Sequence, residues 1–371
     1  LLWLSILPAF SQSILDEYLV EGLQNNLLLQ QRHLSLEQSL LALKMANTYF
    51  LPSVSLGGSY THGEGGRNIQ IPIGDLLNPV YRTLNEMTQA DAFPQVENVS
   101  QNFFPSHFVD GRVRTSLPIL NTDLYYNRRI KEQQVQMQEQ EVKVYQRSLV
   151  RDIKKAYYAY LSASEAVMIY ESALELVEEN LRVNESLLRN GKGLPAYVLR
   201  AESELENVKV QLQEASNQQL NAQRYFNFLL NRGPLSPVIR DTSLTALADD
   251  FIKLSDASDL SRREELLMLQ TAEHINQTLV RMQQQYWTPK LNAFVDLGAQ
   301  AENMNWNSQS PYLLMGLTLD IPLYQGGRNR QQIRHSQLEV SKSRLGLQHT
   351  RQQLKMASDM AADALQTAQQ Q

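Results

Sequence analysis

The chain has 371 residues, and 34 lysines and arginines against 39 aspartates and glutamates leave a formal net charge of −5. Binding nucleic-acid phosphates needs a basic face, so this mild acidity argues against nucleic acid as the main partner. Cysteine is absent, so among these residues no disulfide, zinc–thiolate centre, thiol nucleophile or cysteine-borne lipid anchor is expected.

Leu1–Phe10 (LLWLSILPAF) is apolar but too short to span a bilayer. Residues 1–11 read as a residual signal peptide, with Ala9-Phe10-Ser11 as a small-x-small cleavage site before Gln12. The alternative is a buried N-terminal strand or helix. No other stretch reaches the ~18 continuous apolar residues of a membrane helix.

A helix is predicted over 13–50, running through Tyr49-Phe50-Leu51-Pro52 into a strand at 53–61. That strand sets Val54, Leu56 and Tyr60 on one face against Ser, Gly and Thr on the other. A long loop, 62–111, separates it from a second alternating segment, 112–119, where Arg112, Arg114 and Ser116 oppose Val113, Thr115 and Leu117. From Ile119 to Asn190 there is no glycine and no proline. Steps of four and three from Leu149 land on Ile153, Ala156, Tyr160, Ala163, Val167, Tyr170, Leu174, Val177, Leu181, Asn184 and Leu188, apolar at every position but Asn184. This is a heptad seam, and its period demands a partner helix.

Asn190-Gly191-Lys192-Gly193-Leu194-Pro195 supplies glycine to end that helix and proline to begin another. Beyond it, Val198, Ala201, Leu205, Val208, Leu212, Ala215, Gln219, Ala222, Phe226 and Leu229 form a second seam. Two helices joined by a short turn run antiparallel, so 123–230 is predicted to be a long coiled hairpin. A helix at 262–287 then leads through Trp287-Thr288-Pro289 into strands at 290–299 and 311–321, followed by a helix at 328–371.

The layout of helix, strand, loop, strand and long helix thus occurs twice, over 12–230 and 262–371. Leu117-Pro118-Ile119-Leu120 recurs as Ile321-Pro322-Leu323-Tyr324, an offset of 204, and Ile153, Ala156 and Tyr160 fall on Ala357, Met360 and Ala364 at the same offset. By that register the second long helix is expected to continue past Gln371 into a return helix, so the second repeat reads as C-terminally truncated. Each strand is about ten residues, enough to cross an outer-membrane hydrocarbon layer when tilted. The same pattern also fits a half-buried antiparallel sheet. Four strands alone cannot close a barrel with a lumen, so on the membrane reading several chains must contribute strands.

In order and duplication these segments resemble the TolC-type outer membrane efflux protein family, the outer membrane factors of tripartite efflux and type I secretion systems. The likeness runs from about Ile14 to Gln371. Its most telling pieces are Tyr49–Leu56, Leu117–Leu120, Asn190–Gly193 with Val198–Glu202, and Asp320-Ile321-Pro322-Leu323-Tyr324-Gln325-Gly326-Gly327. The resemblance implies an α+β membrane protein: long antiparallel coiled-coil α-helical hairpins plus four β-strands per chain, joining a homotrimeric, twelve-stranded transmembrane barrel. It further implies residence in the outer membrane with helices reaching into the periplasm, and passive conduction from a periplasmic adaptor and inner-membrane pump to the outside. Asn190, Gly191, Lys192, Gly193 and Pro195 would form the adaptor-docking hairpin tip, and Pro52, Pro118, Pro289 and Pro322 the barrel-to-helix junctions. Residues 231–261, with Pro234, Pro237 and the acidic Asp249, Asp250, Asp256 and Asp259, would match an equatorial linker. Gate residues are expected beyond Gln371.

No catalytic, cofactor or metal site is expected. The six histidines (33, 62, 107, 274, 335, 349) are scattered without ligand spacing. Gly326-Gly327 lacks the spacing of a phosphate loop and reads as the start of a helix. No nucleophile elbow is recognisable. The alternative to a conduit is an exported structural coiled-coil protein, an adhesin stalk or periplasmic adaptor. That reading expects a lipoyl-like β module or an adhesive head, and the sequence offers neither.

Overall fold

The computed structural model describes residues 14–65, 68–102, 107–240 and 260–370. The signal-peptide reading at 1–11 and the acidic stretch of the 231–261 linker lie outside them. The chain divides into two compact units. One comprises residues up to Lys44, Arg129–Arg281 and Gln332–Gln371; the other comprises Met45–Arg128 and Met282–Gln331.

The first unit is helical. It contains α1 (Ile14–Asn25), most of α2 (Leu27–Thr48), most of α4 (Thr122–Arg189), α5 (Pro195–Leu229), most of α6 (Glu264–Gln284) and most of α7 (Arg328–Gln370), with a 3-10 turn at Leu260–Arg262 before α6. At 68 residues and ~1.5 Å per residue, α4 is about 100 Å long. Its seam positions from Leu149 to Leu188 are all buried or half-buried, as are all those of α5. Two contacts fix the antiparallel register: Gln219 Nε2 donates to Ser164 Oγ at 3.0 Å, and the Tyr157 and Phe226 rings lie 5.7 Å apart. Both pairs are centred between Gly191 and Lys192. At the wide end of the hairpin, Tyr157, Phe226, Leu149, Ile153 and Leu230 are essentially fully buried, and Leu15, Tyr18 and Leu29 of α1 and α2 join them in one cluster. Tyr18 meets Phe226 edge-on at 5.1 Å. Arg232 stacks over Tyr18 and forms a bidentate ion pair with Glu21.

The helix expected over 13–50 is broken at Asn26. The buried Asn26 side chain caps α2 by accepting from Leu29 N at 3.0 Å, accepts from Tyr145 Oη at 3.0 Å and donates to Leu229 O at 2.9 Å. One amide therefore joins α2, α4 and α5 where neither glycine nor proline marks a boundary.

The second unit holds a four-stranded antiparallel sheet in the order β1-β4-β5-β6. Its strands are β1 (Ser53–His62), β4 (His107–Leu120), β5 (Lys290–Glu302) and β6 (Pro311–Asp320). β4 and β5 outrun the expected 112–119 and 290–299, because their outer ends continue to pair, Phe108 with Glu302 among them. The expected loop 62–111 is not bare. It holds a two-stranded ribbon, β2 (Asn68–Ile71) with β3 (Val99–Asn102), and a helix, α3 (Ile73–Thr88).

Candidate functional site

The hairpin turn is built from backbone rules. Lys192 N bonds Leu187 O at 2.9 Å and Gly191 N bonds Leu188 O at 3.0 Å, the paired closure that satisfies the last carbonyls of a helix. Gly191 has φ +69°, a left-handed conformation that strains any residue with a Cβ. A Cβ on Gly193 would lie 3.0 Å from Leu188 N. Pro195 opens α5 at its first position, where its missing N–H costs nothing, and Asn190 Nδ2 donates back to Ser186 O. Lys192 is exposed, and so are Leu187, Leu194 and Tyr197 around it. The turn thus carries an apolar collar that the glycine and proline spacing did not reveal. One turn below the collar, the Arg182 guanidinium hydrogen-bonded to Glu179 holds that carboxyl below its usual range. Deeper in the helical unit, burial pushes the Tyr145 hydroxyl up.

The sheet sorts its residues by face. On one face stand Val54 and Leu56 of β1, Val113 of β4, Val295 and Leu297 of β5, and Leu313, Met315, Leu317 and Leu319 of β6, all exposed and Leu56 by 83%. Registered pairing places them shoulder to shoulder: Leu56 with Val113, Val113 with Leu297, and Leu297 with Leu313. The other face carries Ser55, Gly57, Ser59, Arg112, Arg114, Asp296 and Thr318. Arg114 grips Asp296 with two bonds, Nε to Oδ1 at 2.7 Å and Nη2 to Oδ2 at 2.6 Å, and lies over the Phe294 ring. Asp110 accepts from Arg112 Nη1 at 3.0 Å and from Tyr312 Oη at 2.7 Å. Gly298 makes room for the Tyr312 ring, whose Cζ would stand 2.6 Å from a Cβ there. The charged groups Asp110, Arg112, Arg114 and Asp296 on this face are thus paired, while among the described residues nothing covers the apolar face. Among the described residues β1 and β6 each pair on one side only.

The four junction prolines differ in their placing. Pro52 and Pro289 immediately precede β1 and β5, and Pro322 follows β6 by two residues. Pro118 sits inside β4, paired with Asn292, where the register shifts before Leu120; a proline cannot donate to the ladder, so the irregularity falls there. The histidines are less scattered than their spacing implies. His62 and His107 face each other across β1 and β4 with rings stacked at 4.6 Å, and Tyr60 Oη lies 2.7 Å from His107 Nδ1. Only strand register brings them together. Among the described residues no group of His, Asp or Glu is arranged to hold a metal ion, and no helix is long and apolar enough to cross a membrane.

Solved structures share this arrangement. The chain is similar to the outer membrane protein VceC from Vibrio cholerae, at 15% identity over 96% of this chain and 79% of that one, with a TM-score of 0.69. It is similar to the Campylobacter jejuni CmeC outer membrane channel at 15% identity over 91% and 67%, with a TM-score of 0.67. The Neisseria gonorrhoeae MtrE outer membrane channel matches at 15% identity over 96% and 76%, with a TM-score of 0.63. At such identities the likeness is one of fold. No curated protein matches by sequence. The model of the outer membrane efflux protein family, however, matches residues 19–232, more than half of the chain. The chain belongs to the outer membrane efflux protein family.

Proposed function

We propose that this chain is one third of an export duct: a homotrimer whose four strands per subunit close a twelve-stranded outer-membrane barrel, with coiled hairpins extending into the periplasm as a tunnel. The observation that carries this reading is the sheet, with a continuous exposed apolar face, a self-satisfied polar face and two unpaired edges. In water such a surface would aggregate. In a bilayer the apolar face meets lipid, the polar face lines a lumen, and β6 of one subunit pairs with β1 of the next, leaving no free edge. The two repeats each supply two strands followed by a long helix, α4 in the first and α7 in the second, which fits an internal duplication. Solutes pass without covalent chemistry, from a periplasmic adaptor and an inner-membrane pump to the outside, in a tripartite efflux or type I secretion assembly.

The adaptor docks at the hairpin tip formed by Asn190, Gly191, Lys192, Gly193 and Pro195. The exposed Leu187, Leu194 and Tyr197 support this, since an apolar collar around a tight turn suits a protein partner. Pro52, Pro118, Pro289 and Pro322 mark where strands give way to helices at the membrane boundary. Detergent extraction followed by light scattering and circular dichroism tests the reading. A trimer with mixed helix and strand signal, released from membranes by detergent and not by salt, is the expected result. A water-soluble monomer, or release by salt alone, would refute it.

A further inference from the structure

The module between β1 and β4 is built inside out. One flank of α3 is held by the segment that returns to β3. Asn85 pairs both backbone groups of Phe93, Nδ2 to O and N to Oδ1, each at 2.9 Å. Asn78 does the same to Val96, at 3.0 and 2.9 Å. Tyr81 packs on Phe93 at 5.8 Å, and a Cβ on Gly74 would stand 2.3 Å from Val96 O. The covered flank is thus Gly74, Asn78, Tyr81 and Asn85, with no large aliphatic side chain on it. On the other side Ile73, Leu76, Leu77, Val80, Leu84 and Met87 form a stripe at helical spacing. Leu76 is 70% exposed, Val80 51% and Met87 78%.

We propose that this stripe is a contact between copies of the chain, the α3 helices of sister subunits packing on one another beyond the end of the barrel where β1 and β4 join the module. The inference rests on the barrel reading above. Two observations favour a second copy over a lipid leaflet. First, a helix that lies on an anionic leaflet carries Lys and Arg on its polar side, whereas residues 68–102 hold Asp75, Glu86, Asp91 and Glu97 against Arg82 alone. Second, the module hangs from β1, an edge strand with a partner on one side only. Barrel closure seats that edge against a neighbouring subunit, so the interface continues from the strand into the module it carries. A stripe presented by each of three symmetric subunits needs no other protein to cover it.

These 371 residues contain no cysteine, so Val80→Cys and Met87→Cys each place a single thiol among them, and Arg82→Cys places one off the stripe. Outer membranes carrying each variant are oxidised and run without reductant, while the unmodified protein's mass in detergent is measured by light scattering. Several-fold more covalent dimer from the two stripe positions than from Arg82→Cys is the expected result. A trimer whose stripe thiols cross-link no better than the control overturns the contact and leaves the barrel reading standing. Stripe positions quenched by a lipid-dissolved probe instead of cross-linking overturn it in favour of the leaflet. A monomer in detergent overturns both.

Discussion

The helical unit and the sheet place their apolar residues in opposite ways. In the helical unit Tyr157, Phe226, Ile153, Leu149 and Leu230 are sealed inside, and charges such as Lys154 and Lys155 face out. In the sheet Leu56, Leu297, Met315 and Leu317 face out, and the least accessible side chain is Asp296, 1% exposed and gripped by Arg114. Both arrangements obey one rule, that apolar area seeks the less polar surroundings. What differs is the solvent each part is made for. On the barrel reading, a single chain carries a water-adapted half and a lipid-adapted half, told apart by which way the same residue types point.

That contrast can be broken by substitution. Phe226→Ala should cost the helical unit about 3–5 kcal/mol, as for other large-to-small changes in a closed core, measured as thermal loss of helix signal. Leu317→Arg on the outward sheet face should cost about 2–4 kcal/mol in a bilayer, read as lost heat-stable oligomer, while Thr318→Arg on the opposite face should be nearly silent. Equal effects at 317 and 318 would mean that both faces see water. Asp296→Ala leaves Arg114 without its fork partner and should lower the melting temperature by less than Leu317→Arg; the double variant with Arg114→Ala should recover part of the loss. The smallest effect is expected from Gly191→Val, about 1 kcal/mol of left-handed backbone strain, seen as faster proteolysis at the turn. Unchanged cleavage and unchanged efflux would show that the adaptor does not read this turn.

How much of this was written in the sequence follows the range of each signal. The hairpin seam repeats every three or four residues, so Leu149, Ile153, Ala201 and Val208 could be assigned inward from local spacing alone. The two faces of each strand were likewise readable, Arg112 and Arg114 against Val113. Which strand lies beside which was not: Arg114 and Asp296 are 182 positions apart, and nothing near either names the other. His62 and His107 escaped for the same reason. Asn26 ends α1 through its side-chain bonds, without a breaker residue to announce it. α3 was hidden by Pro79, which ordinarily ends a helix but here sits inside one.

The order of the sheet has a consequence for how the molecule is made. β5 and β6 are joined by a short turn and can meet as soon as they are synthesised, and β4 finds β1 already made, but its other edge must wait for the whole of α4, α5 and α6 before β5 exists. Pairings that close so large a span form late, because the entropy of the intervening chain must be surrendered first. Throughout that delay β4 offers Val113 and its backbone to whatever passes.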